Sequence, residues 1–320
     1  MRALARLIVL GCMTVVAAAA HAQTFPSKPV TIVVPFAPGS GTDTISRLIG
    51  QHLSGALGQS VVIENKAGAN GSIAASYVAR SAPDGHTLLM ATNSTHSANP
   101  FLMKTLPYDP VKDFVPVSRA GSYVFMLVVN SEVPAKSIQE LVAYTKANPG
   151  KLSYASGNTT GIVAGETFKR WAGLDILHIP YKSTPPAIND LLGGRVSMMF
   201  IDLTTGLPHV KANALRALAI TTKERSALLP ELPSLHEAGV TNYDVTSWAG
   251  VFAPIGTPQP AVTRLNSELR TVIGSAEVKK RLADAGFEAF SSTPEELSAF
   301  VQAQLALWSK LIKDSGIEAQ

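Results

Sequence analysis

The sequence predicts an α/β fold with largely parallel sheets, and three observations support that class. Short β-branched runs alternate with helical stretches along most of the chain, a pattern typical of strands covered by helices. The order of strand, glycine-rich turn and helix occurs at 30–50 and again at 152–171. The length of 320 residues is enough to bury the cores of one or two domains.

Residues 1–22 are predicted to be an export signal that is removed and is not part of the fold. Arg2 and Arg6 form a basic start, and the apolar run at 7–20 is too short to span a bilayer. The sequence Ala20-His21-Ala22 has the small residues of a cleavage site. We therefore expect cleavage after Ala22 and a periplasmic location.

The mature chain is expected to fold without disulfides, because the only cysteine, Cys12, lies in this signal. A lipoprotein signal would use Cys12, but the preceding Val9-Leu10-Gly11 matches that pattern poorly and the apolar run continues beyond it. Loss of Arg2 and Arg6 lowers the formal net charge from +4 to +2. That charge is too small to indicate nucleic acid or a membrane surface as a partner.

The first predicted strand, 30–34, leads into a turn that is expected to bind an anion. Pro35 and Pro38 end the strand because proline cannot donate to a sheet ladder. A helix with apolar residues at helical spacing follows from Thr42. Free N–H groups and the macrodipole at a helix start attract anions. The predicted contacts in this stretch are Phe36, Ala37, Ser40, Gly41 and Thr42.

The alternative is a βα turn that binds nothing, as most such turns do, and two more specific sites fail on spacing. A dinucleotide fingerprint would need a glycine at Thr44. A nucleophile elbow around Ser40 would need a glycine at Pro38. Asp43 would repel an anion, so we interpret it as a structural first-turn acid that Arg47 holds aside at i+4.

Two further strands, 61–64 and 87–91, also end in small polar loops. Loops at the carboxyl ends of parallel strands share one edge of the sheet, where ligands bind. The candidate contacts in these loops are Ala69, Asn70, Asn93, Ser94 and Thr95. Because asparagine and threonine are common in turns for conformational reasons alone, a purely structural role stays open for them.

The second half of the chain repeats the pattern and is predicted to form the opposite wall of the site. Strands are predicted at 123–129, 152–155, 176–179, 196–201 and 215–221, with helices at 137–147, after 161 and at 186–192. The loop 156–161 is polar and precedes a helix start, as the first turn does. Its candidate contacts are Ser156, Asn158, Thr159 and Thr160.

Asp202 follows the strand 196–201, and two roles are open for it. It can cap a helix that starts at Leu203, or accept a hydrogen bond from an ammonium or hydroxyl group of the ligand. An ionised Asp202 in the cleft would penalise a nearby ligand carboxylate. The second role would therefore favour amino or hydroxy acids over simple dicarboxylates.

The C-terminal part is predicted to contain one strand, 248–253, and two capped helices. Thr257 and Pro258 suit the N-cap and first position of the earlier helix. Thr293 and Glu296 have capping-box spacing for the last one, whose Phe300 and Trp308 are expected in the core. We predict no metal ion and no cofactor, because the histidines after the signal lack metal-ligand spacing; they are His52, His86, His96, His178, His209 and His236.

Motifs along nearly the whole mature chain resemble the Bug family, the periplasmic solute-binding receptors of tripartite tricarboxylate transporters. In chain order they are FPSKPVTIVVPFAPGSGTD with Arg47, VVIENKAGANGSIAA, APDGHTLLMAT, LPYDPVKDFVPVS, LSYASGN, IPYKSTPPAINDLLGGRV, LRALAITTKERSALLPELPSLHEAG and SWAGVFAPIGTP. Ser40 and Ser183 depart from the pattern, since the family usually has glycine at both positions. Ser40 adds a hydroxyl to the anion turn, so the ligand is not taken over from relatives.

This resemblance implies a two-lobed periplasmic-binding-protein fold (type II-like), with the ligand in the cleft between two mostly parallel, helix-flanked sheets. It places 23–122 and 248–320 in the first lobe and 123–247 in the second, with crossings near 123–125 and 244–248. It implies that loop amides and water hold a small carboxylate, either a dicarboxylate, an amino or hydroxy acid, or an aromatic acid. It further implies a monomer that performs no catalysis and delivers its ligand to a membrane permease.

Two other functions remain open at this level. An exported α/β hydrolase would need a base beside a nucleophile, yet no serine has the flanking glycines of an elbow and no cysteine remains after Cys12 is removed. A sensory binding protein that signals through a membrane partner would use the same closed cleft, so the sequence does not separate it from a transport receptor.

Overall fold

The computed structural model describes residues 25–319. The predicted signal, its cleavage site after Ala22 and Cys12 lie outside the described residues. Two sheets flanked by helices form two lobes, which confirms the predicted α/β class. We call the six-stranded sheet with its helices the first lobe, and the five-stranded sheet with its helices the second lobe.

The strands define both lobes. They are β1 (Val30–Val34), β2 (Val61–Asn65), β3 (Thr87–Thr92), β4 (Phe114–Tyr123), β5 (Phe125–Asn130), β6 (Ser153–Ser156), β7 (Leu177–Pro180), β8 (Met198–Asp202), β9 (Leu215–Ile220), β10 (Ser247–Pro254) and β11 (Phe287–Ala289). The first sheet has the order β11-β4-β10-β3-β1-β2, and the second has the order β7-β6-β8-β5-β9.

Each sheet is mixed rather than mostly parallel, which corrects the sequence-based expectation. In the first sheet β1 pairs in parallel with β2 and β3, whereas β10 is antiparallel to β3 and β4. In the second sheet β6 pairs in parallel with β7 and β8, whereas β5 is antiparallel to β8 and β9. The reason is the path of the chain, since neighbouring strands that leave and re-enter a lobe run in opposite directions.

The chain passes between the lobes at two adjacent points. The predicted single strand 123–129 is wrong, because Val124 separates β4 in the first sheet from β5 in the second. On the return path, Ser247 at the start of β10 pairs with Tyr123 at the end of β4. Thr221 N donates to Phe125 O at 2.9 Å, beside the other crossing. Both crossings therefore lie side by side, as in a hinge.

The helices cover the faces of the sheets and begin mostly at side-chain caps. They are α1 (Gly41–Leu57), α2 (Ser72–Ala79), α3 (Asn99–Leu102), α4 (Ile138–Ala147), α5 (Thr159–Ala172), α6 (Thr184–Leu192), α7 (Leu203–Lys211), α8 (Gln259–Gly274), α9 (Ala276–Asp284) and α10 (Pro294–Ser315). The predicted capping box of Thr293 and Glu296 is confirmed. Within residues 25–319, no helix has the length and apolar character needed to cross a membrane.

The start of α8 differs by one residue from the prediction. Pro258 occupies the N-cap, and no side chain caps the helix. The Thr257 hydroxyl instead donates to Pro254 O at 2.7 Å. It thereby tightens the turn after β10 and is not available for the first helical N–H groups.

The last helix, α10, packs on both lobes. Near its start, Leu297 and Val301 join a core cluster of the first lobe that includes Trp248. Near its end, Trp308 and Ile312 join the core cluster that contains second-sheet residues such as Leu127. Both Phe300 and Trp308 thus pack against apolar residues, as expected, although only Trp308 is fully buried.

Replacement of Trp308 by alanine is expected to lower the free energy of unfolding by about 4 kcal/mol, because it removes a large side chain from a filled core. Trp308 is 1% exposed, whereas Trp171 on α5 is 43% exposed. Trp171→Ala is therefore the matched control and should cost roughly 1 kcal/mol. Urea denaturation of the two variants tests the prediction, and equal losses would contradict the packing of α10 described here.

Candidate functional site

A small cavity lies between the lobes, beside the two crossings. It measures about 20 Å³, room for about one water molecule. Its walls come from both sheets and from the starts of several helices. The lining residues are Phe36, Ser40, Gly41, Thr42, Thr92, Asn93, Ser94, Tyr123, Phe125, Asn158, Thr160, Thr184, Asp202 and Ser247.

Four helices begin at this cavity. Helix α1 comes from the first lobe, and α5, α6 and α7 come from the second. Their N-cap residues are Ser40, Asn158, Ser183 and Asp202. Each helix start carries N–H groups without an intrahelical partner and about half a positive charge. The cavity is therefore surrounded by positive helix ends from both sides.

The turn before α1 is held by its own polar groups. The Ser40 hydroxyl accepts from Asp43 N at 3.3 Å, and Gly39 N donates to Asp43 Oδ2 at 2.9 Å. Gly39 has φ +81°, a conformation that favours glycine. Helix α1 begins at Gly41, one residue earlier than predicted, because Ser40 serves as its cap.

Asp43 faces away from the cavity and is tied to its own lobe. Its carboxylate accepts from Arg47 Nε at 3.0 Å and from Asn65 Nδ2 at 2.9 Å. Burial acts to raise the pKa of Asp43, but the hydrogen bonds from Arg47, Gly39 and Asn65 outweigh it and hold the pKa below its ordinary value. This geometry agrees with the structural role proposed for Asp43 from the sequence.

Three hydrogen bonds join the lobes around the cavity. Ala37 N donates to Ser183 Oγ at 3.1 Å. Ser183, one of the two departures from the family motifs, therefore contacts the turn before α1 directly. Asn93 Nδ2 donates to Thr160 Oγ1 at 2.9 Å. Thr159 Oγ1 donates to Ser94 Oγ at 2.8 Å. These bonds and the small cavity describe a closed cleft.

Asp202 is a buried carboxylate at the base of this cleft, with 4% of its surface exposed. It caps α7, since Oδ1 accepts from Thr205 N at 2.9 Å and from Thr205 Oγ1 at 2.8 Å. Burial raises the pKa of Asp202, although the Thr205 bonds oppose the effect. The capping role considered for Asp202 is therefore present, and its carboxylate also lines the cavity.

The start of α7 approaches the first lobe at two glycines. A Cβ on Gly41 would collide with Asp202 Oδ1, and a Cβ on Gly286 would lie 2.8 Å from Leu203 Cβ. Gly41 has ordinary helical geometry, so its lack of a side chain serves the contact with Asp202 rather than the turn. Closure of the cleft thus depends on the absence of a methyl group at Gly41.

Nine of the fifteen predicted contacts line the cavity, Ala37 and Thr159 form interlobe hydrogen bonds beside it, and the other four do neither. Thr95 is buried within its own lobe, where Oγ1 donates to Thr92 O at 3.1 Å. Ala69 is exposed and does not line the cavity. Asn70 and Ser156 line a neighbouring interlobe pocket of about 660 Å³. The predicted loop 92–96 is largely helical, with a π-helical turn at Ser94–Ala98 that turns the Thr95 side chain inward.

The sequence analysis missed five residues that border the closed cleft. They are Thr92, Tyr123, Phe125, Thr184 and Ser247. Tyr123 OH donates to Thr42 Oγ1 at 3.3 Å, and Ser247 Oγ donates to Asn93 Oδ1. Both lie at strand ends beside the crossings. The sequence around these two residues has the apolar pattern of a core strand. Only the pairing of β4 with β10 shows that both residues lie at the cavity.

No cationic side chain lines the small cavity among the described residues, whereas Lys104 lines the neighbouring pocket of about 660 Å³. Positive potential in the small cavity comes from backbone N–H groups and helix starts alone. In residues 25–319, no cluster of three or more histidine, cysteine, aspartate or glutamate side chains has the geometry of a metal site. The lining groups are therefore hydrogen-bonding hydroxyls, amides and helix starts together with one carboxylate, that of Asp202.

Comparison with known proteins gives consistent matches over nearly the full chain. Residues 45–317 match the family model described as TctC, the tripartite tricarboxylate transporter family receptor. BugT of Bordetella pertussis is 35% identical over 305 residues, which cover 94% of this chain and 93% of BugT.

Solved structures agree with that match. Rpa4515 of R. palustris, determined with adipate, has a TM-score of 0.90 and 38% identity, covering 92% of this chain and 100% of its own. MatC from Rhodopseudomonas palustris, determined with bound malate, has a TM-score of 0.83 and 33% identity, covering 90% of this chain and 100% of its own.

Asp43→Asn is expected to lower the free energy of unfolding by about 2 kcal/mol at neutral pH, because a buried charged acceptor loses its partners. The native pKa of Asp43 lies below its ordinary value of 3.8. Its stabilising contribution is therefore complete above about pH 4 and is lost as the pH falls through the native pKa. The difference between variant and wild type should shrink accordingly in urea titrations at about pH 7 and about pH 3.

The control is Asp314→Asn on α10, which removes an exposed i,i+4 partner of Lys310. It should cost less than about 0.5 kcal/mol at either pH. If Asp43→Asn leaves stability unchanged but alters which ligand binds, then Asp43 belongs to the ligand site and its structural role is wrong.

Proposed function

The chain belongs to the receptor family of tripartite tricarboxylate transporters, and we propose that it captures a small dicarboxylate in the cleft between the two lobes and delivers it to a membrane permease. The family predicted from the motifs is thereby confirmed. Receptors of this family are periplasmic, and the proposed route there is export followed by cleavage after Ala22. We further propose that the mature receptor is a monomer that performs no catalysis.

One observation carries the ligand class: four helices from two lobes begin at one cavity that has no cationic lining side chain in the described part of the chain. Helix starts bind carboxylates through N–H groups and their dipoles. Fixed backbone donors replace the water around the anion without reorganising. The adipate and malate in two relatives make dicarboxylates of four to six carbons the class to test.

Binding requires the lobes to separate first, because a cavity of about 20 Å³ cannot admit a dicarboxylate. We propose that the lobes, 23–122 with 248–320 and 123–247, move about the paired crossings at 123–125 and 244–248. Such hinge closure is common in periplasmic binding proteins. The interlobe bonds of Ala37, Asn93 and Thr159 would break as the lobes separate.

The hydrolase alternative has one geometric point to weigh. Ser156 Oγ lies 2.6 Å from His178 Nε2, a spacing suited to activation of a serine. Ser156 is only 1% exposed, however, and Asn158 and Thr159 follow it in the wall that touches the other lobe. Both side chains line the neighbouring pocket of about 660 Å³, but Ser156 is buried and the family match is to a receptor, so this pair does not favour catalysis over binding.

A thermal-shift screen of refolded, ligand-stripped mature protein tests the proposed function. The panel comprises succinate, malate and adipate, with tricarboxylates, amino acids and aromatic acids beside them. A ligand at a hundredfold excess over its Kd stabilises the native state by about 2.7 kcal/mol, which shifts the melting temperature visibly. A hit should vanish when its carboxylates become amides. No hit among the dicarboxylates would refute the proposal.

Gly41→Ala is expected to weaken dicarboxylate binding at least about tenfold while leaving the protein folded. The new methyl group collides with Asp202 only when the cleft closes, and alanine is the better residue inside a helix by up to about 1 kcal/mol. Gly55→Ala on the same helix is the control, because nothing lies within 4 Å of its Cβ. Calorimetric titration and melting curves should show unchanged binding for Gly55→Ala, and equal affinities for both variants would contradict the closed geometry.

A further inference from the structure

We propose that Asp202 selects ligands through a hydrogen that must lie between its carboxylate and the ligand. A 2-hydroxy or 2-amino acid supplies this hydrogen itself, whereas a simple dicarboxylate binds with uptake of one proton from solvent. The proposal rests on the proposed function and adds to it a rule for selecting ligands. It concerns the one ionisable carboxylate that lines the cavity among the described residues.

The first support is that Asp202 is buried without a cation. Salt bridges within residues 25–319 do not include it. The negative charge of Asp202 is stabilised instead by the start of α7, where Thr205 N and Thr205 Oγ1 donate to Oδ1. Oδ1 is also the atom nearest to the Cβ position of Gly41, so the carboxylate lies against the start of α1. One negative charge of the protein therefore already faces the predicted anion turn.

The second support is the charge balance of the closed cleft. Its other described lining groups are neutral hydroxyls, amides, backbone and aromatic rings. A ligand carboxylate beside Asp202 would place two like charges in a desolvated space, an arrangement that buried carboxylates avoid by sharing a proton. Helix starts supply only about half a unit charge each, so they do not substitute for a cation next to both groups.

The titratable groups in the cavity wall and on the neighbouring first-lobe elements leave few other places for the proton. Tyr123 is the titratable neighbour in the cavity wall, and burial raises its pKa far above neutrality, so it stays a neutral phenol. On α1, Asp43 and Arg47 bind each other. On β11, Glu288 accepts from Ser226. Burial also raises the pKa of Asp202 itself before any ligand arrives.

The two ligand classes meet this requirement differently. A 2-hydroxyl or 2-ammonium group donates its own hydrogen to the Asp202 carboxylate, and no proton is exchanged with solvent. Succinate has no such group at neutral pH, so one solvent proton enters the pair and Asp202 as a carboxylic acid donates to the ligand carboxylate. Succinate and malate are therefore a matched pair, because they differ only in the 2-hydroxyl.

Calorimetric titration at about pH 7 in phosphate and in Tris measures the proton, since the two buffers differ in ionisation enthalpy. Wild-type protein should take up close to one proton per succinate and close to none per malate. Lowering the pH by one unit should then tighten succinate binding about tenfold and leave malate nearly unchanged. Asp202→Asn keeps a good N-cap residue of the same size and should abolish both differences.

The control is Asp190→Asn, which removes another carboxylate of the second lobe. Asp190 pairs with Arg195 at 2.7 Å and does not line the cavity. It should keep the wild-type proton uptake.

The possible outcomes distinguish this inference from the proposed function. Binding of both ligands without proton uptake, or uptake that persists in Asp202→Asn, overturns this inference and leaves the proposed function standing. Binding of malate without any binding of succinate to the wild-type protein also overturns the inference, because the predicted proton-coupled binding of succinate is then absent. If none of succinate, malate and adipate binds, the proposed function fails and the inference with it.

Discussion

The structure depends on one constraint: helix starts from both lobes form the wall of one small cavity, without a positive side chain among its described lining residues. Helix dipoles act only over the first turn, so α1, α5, α6 and α7 must bring their first residues to the same small space. The strand that precedes each helix sets that position. The mixed sheets follow from the same requirement, because both crossings must lie beside the site for the two walls to meet.

Some N-cap residues of these helices stabilise their own helix, and one forms a hydrogen bond across the cleft. Ser40 and Asn158 use their side chains within their own helices, accepting from Asp43 N and Gly161 N. Ser183 makes no cap bond, and its hydroxyl accepts from Ala37 N across the cleft. At the two positions that depart from the family motifs, this chain therefore has one serine that stabilises a helix start and one that joins the lobes. Both departures alter the site without adding charge to it.

Local patterns were sufficient to predict the class of the fold and most of one wall. The glycine turn at 39–41, the capping box of Thr293 and the polar loop at 156–161 each depend on neighbours in sequence, which is why they were found. Strand β4 was missed because Pro116 and Gly121 interrupt its strand pattern. Tyr123 and Ser247 reach the cleft through pairing of strands far apart in sequence, and no local pattern encodes that pairing. Thr95 was misplaced because a π-helical turn rotates it inward, and π-turns have no clear sequence signature.

The packing of α10 on both lobes has a consequence for the energetics of ligand capture. Any opening must either carry the Trp308 end of the helix with the second lobe or withdraw a buried indole from its core. Opening then has a free-energy cost even before a ligand arrives. Since the observed Kd equals the intrinsic value divided by the competent fraction, a helix far from the carboxylate sets part of the affinity. The last helix therefore tunes how much of the receptor is ready to bind at a given ligand concentration.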